Sequence, residues 1–109
     1  VYDDLLEDDP ENPVALAERG WLVSRVDPSL VDSGLTSIEK AIAIDPTYPD
    51  AHFFRGMILW NAKGDPAAGV ESLQRALDLN PPPDFRGLMQ QKLDEAKAAA
   101  AAERASATP

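Results

Sequence analysis

The chain lacks cysteine and has one histidine, and these shortages exclude several kinds of chemistry. Without cysteine, its 109 residues can form neither a disulfide nor a thiolate nucleophile nor a zinc–thiolate site. The histidine, His52, has no second histidine and no carboxylate cluster facing it, so we expect it to pack and not to bind metal or act in catalysis. Paired catalytic acids and a phosphate loop are also missing. The sequence predicts a protein that is not an enzyme and uses no cofactor or metal.

Positive charge is scarce as well. Ten Lys and Arg stand against 19 Asp and Glu, which gives a formal net charge of −9. Nucleic acids and anionic membrane surfaces need a basic stripe, so we expect neither as a partner. No apolar run in this sequence approaches the roughly 18 residues of a membrane-spanning helix. The dispersed acidic residues are typical of a solubilising surface.

What the sequence has instead is an internal repeat. Pro10, Pro46 and Pro81 each follow an Asp or Asn, and they stand 36 and 35 residues apart. Gly20 and Gly56 each lie ten residues after the first and second of these prolines. A period in the middle thirties is typical of solenoids built from helix pairs, in which each unit buries its apolar face against its neighbours.

The apolar periodicity within each unit predicts two helices. Six positions of one second helix recur 35 residues later in the next: Gly34, Ile38, Ala41, Ile42, Ile44 and Pro46 match Gly69, Leu73, Ala76, Leu77, Leu79 and Pro81. The spacing predicts helices over about 13–26, 30–44, 49–63 and 66–79. Pro13, Pro49 and Pro66 suit the first helical position, and Asn12 and Asp65 are good N-caps.

The two ends of the chain differ from the repeats. A third pattern with Leu88, Leu93 and Ala96 predicts a C-terminal capping helix over 82–103, with the alanine run fraying beyond Ala98 and a disordered tail over 104–109. At the other end, Tyr2 lies eight residues before Pro10, as Ile38 does before Pro46. Residues 1–9 are therefore interpreted as the second helix of a truncated repeat, ahead of units at 10–46 and 47–81.

This half-repeat leads us to expect that the chain was cut from a longer protein. The alternative is that residues 1–9 are an ordinary frayed N-terminus. An isolated second helix would leave the apolar side of Tyr2, Leu5 and Leu6 uncovered. This face is a candidate contact for a homo-oligomer.

The glycines, small residues and closing prolines resemble the tetratricopeptide repeat family. Gly20 and Gly56 fill its small position in the first helix, the pairs Gly34/Ala41 and Gly69/Ala76 fill those in the second helix, and Ile38 and Leu73 lie between them. The resemblance covers about residues 1 to 81. It implies an all-α fold, a right-handed solenoid of antiparallel helix pairs with two full repeats, a leading half-repeat and the capping helix. One or two extra residues per unit, and an arginine before each first-helix glycine, depart from the family pattern.

The resemblance also implies a binding surface, since the first helices of this family line a concave groove. Its groove positions correspond to Ala17, Trp21, Ser24, Arg25, Phe53, Met57, Trp60 and Asn61. Such an apolar set suits an amphipathic helix and not the C-terminal carboxylate that chaperone-tail adaptors clamp with cationic and amide residues. Phe53 and Trp60 could equally be core residues between repeats.

A narrower resemblance rests on the run from Tyr48 to Gly56, the Gly20-Trp21-Leu22 segment and the three prolines at 81–83. These residues are similar to the tetratricopeptide domains of bacterial c-type cytochrome biogenesis proteins. That family implies an extracytoplasmic domain of a membrane-anchored protein, which captures the C-terminal helix of apocytochrome c. Two alternatives stay open: a structural scaffold that self-assembles, and a regulatory domain fused to an upstream enzyme.

Overall fold

A computed structural model describes residues 9–107, and every regular element in that range is helical. The five α-helices are α1 (Pro13–Val26), α2 (Val31–Ile44), α3 (Pro49–Asn61), α4 (Pro66–Asp78) and α5 (Pro83–Ala107). A single 3₁₀ turn, Pro28–Leu30, joins α1 to α2. The all-α prediction is confirmed for this part of the chain.

The helices begin where the sequence places proline and a capping side chain. The Asn12 side chain accepts a hydrogen bond from the Ala15 amide at 3.1 Å, and Asp65 accepts one from the Ala68 amide at 3.1 Å. Both satisfy an amide that the first helical turn leaves unpaired. The two predicted N-caps are therefore confirmed.

Paired glycines let the helices of each hairpin touch. At the contact of α1 with α2, a Cβ atom added to Gly34 would lie 2.4 Å from the Gly20 carbonyl oxygen. At the contact of α3 with α4, a Cβ added to Gly69 would lie 2.9 Å from the Gly56 carbonyl oxygen. Neither distance is compatible with a side chain, so both hairpins close at the same repeat position and need glycine there.

The core runs through the helices in two overlapping steps. One cluster of buried residues joins α1, α2 and α3, and includes Leu16, Ile38 and Ile58. The other contains Leu73 of α4 and Leu93 of α5, against which apolar side chains of α3 pack. Each helix contacts its neighbours in sequence, and α1 also contacts α3. The core therefore extends along the row of helices.

The structure corrects several predicted boundaries. Helix α3 ends at Asn61 and not at residue 63, because Gly64 (φ 66°) turns the chain before the Asp65 cap. Leu30 belongs to the 3₁₀ turn, and α4 ends at Asp78.

The C-terminal prediction is wrong over residues 104–107, since α5 is helical through Ala107 and Ala100 within the alanine run is buried. The predicted helix over 1–9 and the face formed by Tyr2, Leu5 and Leu6 lie outside the described residues except for Asp9, which precedes the first turn. Residues 108 and 109 of the predicted tail lie outside them too.

Candidate functional site

One side of the molecule carries a groove to which three helices contribute. Helices α1, α3 and α5 form it, and α2 and α4 take no part in its lining. Its volume is about 600 Å³. The lining residues are Trp21, Arg25, Asp50, Phe53, Phe54, Met57, Asn61, Phe85, Leu88, Met89 and Lys92.

Four side chains of the groove, Arg25, Trp21, Phe54 and Phe53, contact one another in a row. The Trp21 and Phe54 rings are stacked nearly parallel, 9° apart, with centroids at 5.0 Å. The Phe53 and Phe54 rings form an edge contact with centroids at 6.1 Å. The Arg25 guanidinium carbon lies 5.2 Å from the Trp21 ring centroid, in cation–π range. This stack crosses from α1 to α3, so the two helices present a single apolar floor.

The groove follows the repeat of the sequence. Four groove residues of α3 have counterparts in α5 one 35-residue period later: Asp50, Phe53, Phe54 and Met57 correspond to Phe85, Leu88, Met89 and Lys92. In the other direction, Trp21 and Arg25 precede Met57 and Asn61 by 36 residues. Helix α5 therefore stands in the groove as the first helix of a third unit would.

The structure brings five of the eight predicted site residues together and places three elsewhere. Trp21, Arg25, Phe53, Met57 and Asn61 line the groove. Ala17 is fully buried in the first core cluster.

The remaining two predicted residues, Ser24 and Trp60, also lie outside the groove lining. Ser24 lines a separate cavity, beside the ion pair of Lys63 with Asp32, and its hydroxyl donates to the Trp21 carbonyl at 2.8 Å. Trp60 packs against the cluster of α4 and α5, and its Cβ faces Gly69.

Five lining residues besides Asp50 were not predicted. They are Phe54, Phe85, Leu88, Met89 and Lys92. Phe85 is 51% exposed and Leu88 is 45% exposed, although both are large and apolar. The 35-residue register would have found those of α5, but the interpretation of that helix as a cap assigned it no groove position.

Asp50 gives the groove a carboxyl with altered acidity. Burial raises the pKa of Asp50 above its usual value, the hydrogen bond from the Tyr48 hydroxyl opposes this shift, and the charge of Glu18 adds to it. The Tyr48 oxygen lies 3.2 Å from Asp50 Oδ2. The neutral form of the carboxyl is therefore favoured here more than in an exposed aspartate.

A larger cavity, of about 720 Å³, lies between α2 and α4 on a different part of the surface. Some of its polar groups are engaged within the protein. His52 Nε2 lies 2.9 Å from the Pro46 carbonyl oxygen, which can only accept, so this nitrogen carries the proton. Arg55 donates to the Ser72 hydroxyl at 2.6 Å. The lining contains both carboxylates and guanidinium groups, so the cavity does not favour a partner of either charge.

In comparisons with known proteins, no protein-family model matches the chain, and no curated protein matches it. Within residues 9–107, no three His, Asp or Glu side chains come together in a group that could hold a metal ion. In the same range, no helix is both long and apolar enough to span a bilayer.

Proposed function

We propose that this chain is a protein-binding module that holds an amphipathic helix of its partner in the groove of α1, α3 and α5. The observation that carries the proposal is the exposed apolar lining. Phe85 and Leu88 keep about half of their surface in water beside the aromatic stack, although both are large and apolar. Contiguous apolar surface of this kind typically marks an interaction site.

We also propose that the helices form a right-handed solenoid of the tetratricopeptide class. Two observations support it. The glycine contacts recur at equivalent positions of both hairpins, and the groove residues recur with the sequence period in three helices. Stacked helix pairs of this class present their first helices on a concave face.

The binding mechanism follows from the shape and composition of the groove. A partner helix about 10 Å wide would lay its apolar side chains, spaced at three and four residues, over Trp21, Phe54 and Leu88. The thioethers of Met57 and Met89 adapt to side chains of different shape. Binding and not catalysis remains the prediction, with no cofactor or metal.

The groove is tested by shortening its exposed apolar side chains. In Phe85→Ala and Leu88→Ala we expect an unchanged circular dichroism spectrum and binding of an amphipathic helical peptide weakened by at least about 1 kcal/mol each, as for interface anchors. The control is Ile44→Ala, because Ile44 is 39% exposed on α2 and outside the groove lining. Equal affinity of all three variants, measured by isothermal titration, would contradict the proposal.

The narrower proposal is that the partner is the C-terminal helix of an apocytochrome c, in c-type cytochrome maturation. It rests on the resemblance of the segment around Tyr48 to Gly56, and the apolar groove is compatible with it. Titration with C-terminal peptides of c-type cytochromes and with scrambled peptides tests it. Micromolar binding that Phe85→Ala weakens would support it, whereas equal heats from scrambled peptides would reduce the proposal to general helix binding. The extracytoplasmic location, self-assembly through Tyr2, Leu5 and Leu6, and fusion to an upstream enzyme remain predictions from the sequence.

A further inference from the structure

The charges of the groove have the opposite balance to those of the whole chain. The chain carries a formal net charge of −9, yet the charged side chains of the groove lining are two cations, Arg25 and Lys92, and one carboxyl, Asp50. The groove lining therefore carries one more cation than carboxylates, although the protein as a whole is acidic.

Arg25 is positioned to receive an anion. Its guanidinium is held over the Trp21 ring at 5.2 Å, and Trp21 is in turn stacked on Phe54. Among residues 9–107, no carboxylate lies within ion-pair distance of it. The planar donors of an arginine that is held over an aromatic ring remain available to a carboxylate from outside.

Lys92 brings a second cation to the same groove from α5. It stands one period after Met57, at the groove position that Trp21 fills in α1. Its Nζ lies 3.5 Å from Glu95 Oε1, in a partly exposed pair one turn along the helix. Such a pair is weak, and the ammonium has three donors, so Lys92 can still bind a partner's carboxylate.

The cations and the carboxyl occupy different levels of the groove. Arg25 lies in the last turn of α1 and Asn61 closes α3, whereas Asp50 lies in the first turn of α3. Since the hairpins make α1 and α3 run in the same direction, Arg25 and Asn61 lie toward one rim of the groove and Asp50 toward the other. Lys92 is the α5 counterpart of Met57, which lies four residues from Asn61 and seven from Asp50. Both cations are therefore nearer to the rim of Arg25 than to that of Asp50.

We propose, on the basis of the function proposed above, that the partner is an amphipathic helix whose apolar face is bordered on one side by carboxylates, which pair with Arg25 and Lys92. The apolar residues of the partner cover the aromatic stack. Water is displaced from around the guanidinium at the same time, which strengthens its attraction to a carboxylate.

Three synthetic helical peptides with the same apolar face and with Glu, Gln or Lys along one flank would test this. Binding can be followed by the fluorescence of Trp21, which lines the groove. The chain has one other tryptophan, Trp60, which lies outside the groove lining and is replaced by phenylalanine for this assay. We expect the Glu peptide to bind roughly five- to tenfold more tightly than the Gln peptide, the value of one to two modest ion pairs. We expect this preference to shrink in high salt and the Lys peptide to bind most weakly.

Substitutions of Arg25 and Lys92 test whether these two side chains cause the preference for the Glu peptide. Arg25→Gln and Lys92→Gln should each reduce the ratio between the Glu and Gln peptides, and Lys97→Gln should not, because Lys97 is exposed on α5 outside the groove lining. Equal affinity of the three peptides, tighter binding of the Lys peptide, or a preference that survives Arg25→Gln combined with Lys92→Gln would overturn the charge assignment and leave helix binding intact. Binding of none of the peptides to the folded protein would overturn both proposals.

Discussion

At the scale of single residues, the helical glycines of this chain differ in what a side chain would contact. A Cβ on Gly34 would meet the Gly20 carbonyl oxygen at 2.4 Å, whereas a Cβ on Gly87 would have no neighbour within 4 Å. We expect Gly34→Ala to lower the free energy of unfolding by about 2 to 3 kcal/mol, as overpacking does. Gly87→Ala should raise it by about 0.5 to 1 kcal/mol, because alanine is the better helix former. Urea denaturation compares the two variants, and effects of the same sign would contradict this account.

Two aspartates five residues apart should give pH dependences of opposite sign. Burial raises the pKa of Asp50, so its contribution to stability is present below its unfolded pKa and is lost as pH rises through its folded pKa. The Thr47 hydroxyl and amide lower the pKa of exposed Asp45, so its contribution is present above its unfolded pKa and is lost as pH falls through its folded pKa.

Urea denaturation between pH 3 and pH 7 tests both signs. Relative to wild type, Asp50→Asn should become more stable as pH rises over this range, and Asp45→Asn should become less stable. Parallel pH profiles of the two variants would show that the environments of the two carboxyls are not those described.

The sequence predicted five of the groove side chains correctly and misplaced Ala17, Ser24 and Trp60. Trp21, Phe53 and Met57 were predictable because large apolar residues at helical spacing must lie on some common surface. Whether Trp60 faces the groove or the core depends on the close approach of α4 at Gly69, a contact between helices that no local pattern records.

At the scale of elements, α1 and α3 are equivalent in sequence but not in environment. Leu22 of α1 is 50% exposed, and Ile58, 36 residues later in α3, is 3% exposed because α2 and the first core cluster cover it. We expect Ile58→Ala to cost about 2 to 4 kcal/mol of stability and Leu22→Ala less than about 1 kcal/mol. Equal costs in chemical denaturation would mean that Leu22 is covered in solution.

Helix α5 is 25 residues long, and its last turns contribute little contact. Its buried residues end at Ala100, and residues 101–107 are all exposed. Removal of residues 101–109 should therefore change the free energy of unfolding by less than about 0.5 kcal/mol. Removal from residue 96 onward also deletes buried Ala96 and Ala100 and should cost several times more. Similar losses from the two truncations, compared by thermal unfolding, would contradict this.

Helix positions were predictable because proline, capping residues and apolar periodicity agree along the chain. The ends were less so. Helix α3 stops two residues early because Gly64 takes a left-handed turn, and α5 runs on because alanine favours helix without needing a partner. Such ends are decided by turn geometry and intrinsic propensity, and the hydrophobic pattern contains neither.

At the scale of the whole molecule, contacts run along the row of helices, and this predicts an uneven stability. Among residues 9–107, helix α3 contacts α1, α2 and α4, whereas α1 contacts α2 and α3. We expect the amides of α3 to exchange their hydrogens with an opening free energy at least about 1 kcal/mol above those of α1. Native-state exchange followed by NMR measures both, and uniform protection would indicate a single cooperative unit.

The repeat was visible in the sequence, but the extent of the groove was not. Two units could be aligned residue by residue, so the helix pairs followed from the register. Phe85 and Leu88 were not assigned to the groove because α5 was interpreted as a capping helix, although the 35-residue register continues into it.

The register shared by α3 and α5 makes the length of the groove an adjustable property. A second copy of residues 47–81, inserted after Pro81, would meet α2-like and α5-like surfaces at junctions that the protein already contains. Each inserted unit would widen the recognition surface by one helix spacing, about 10 Å, and so admit about two further turns of a partner helix. Residues 47–81 could thus serve as a repeat module for engineered binding proteins whose grooves differ in length. Each added module would present one further set of Phe53, Phe54 and Met57.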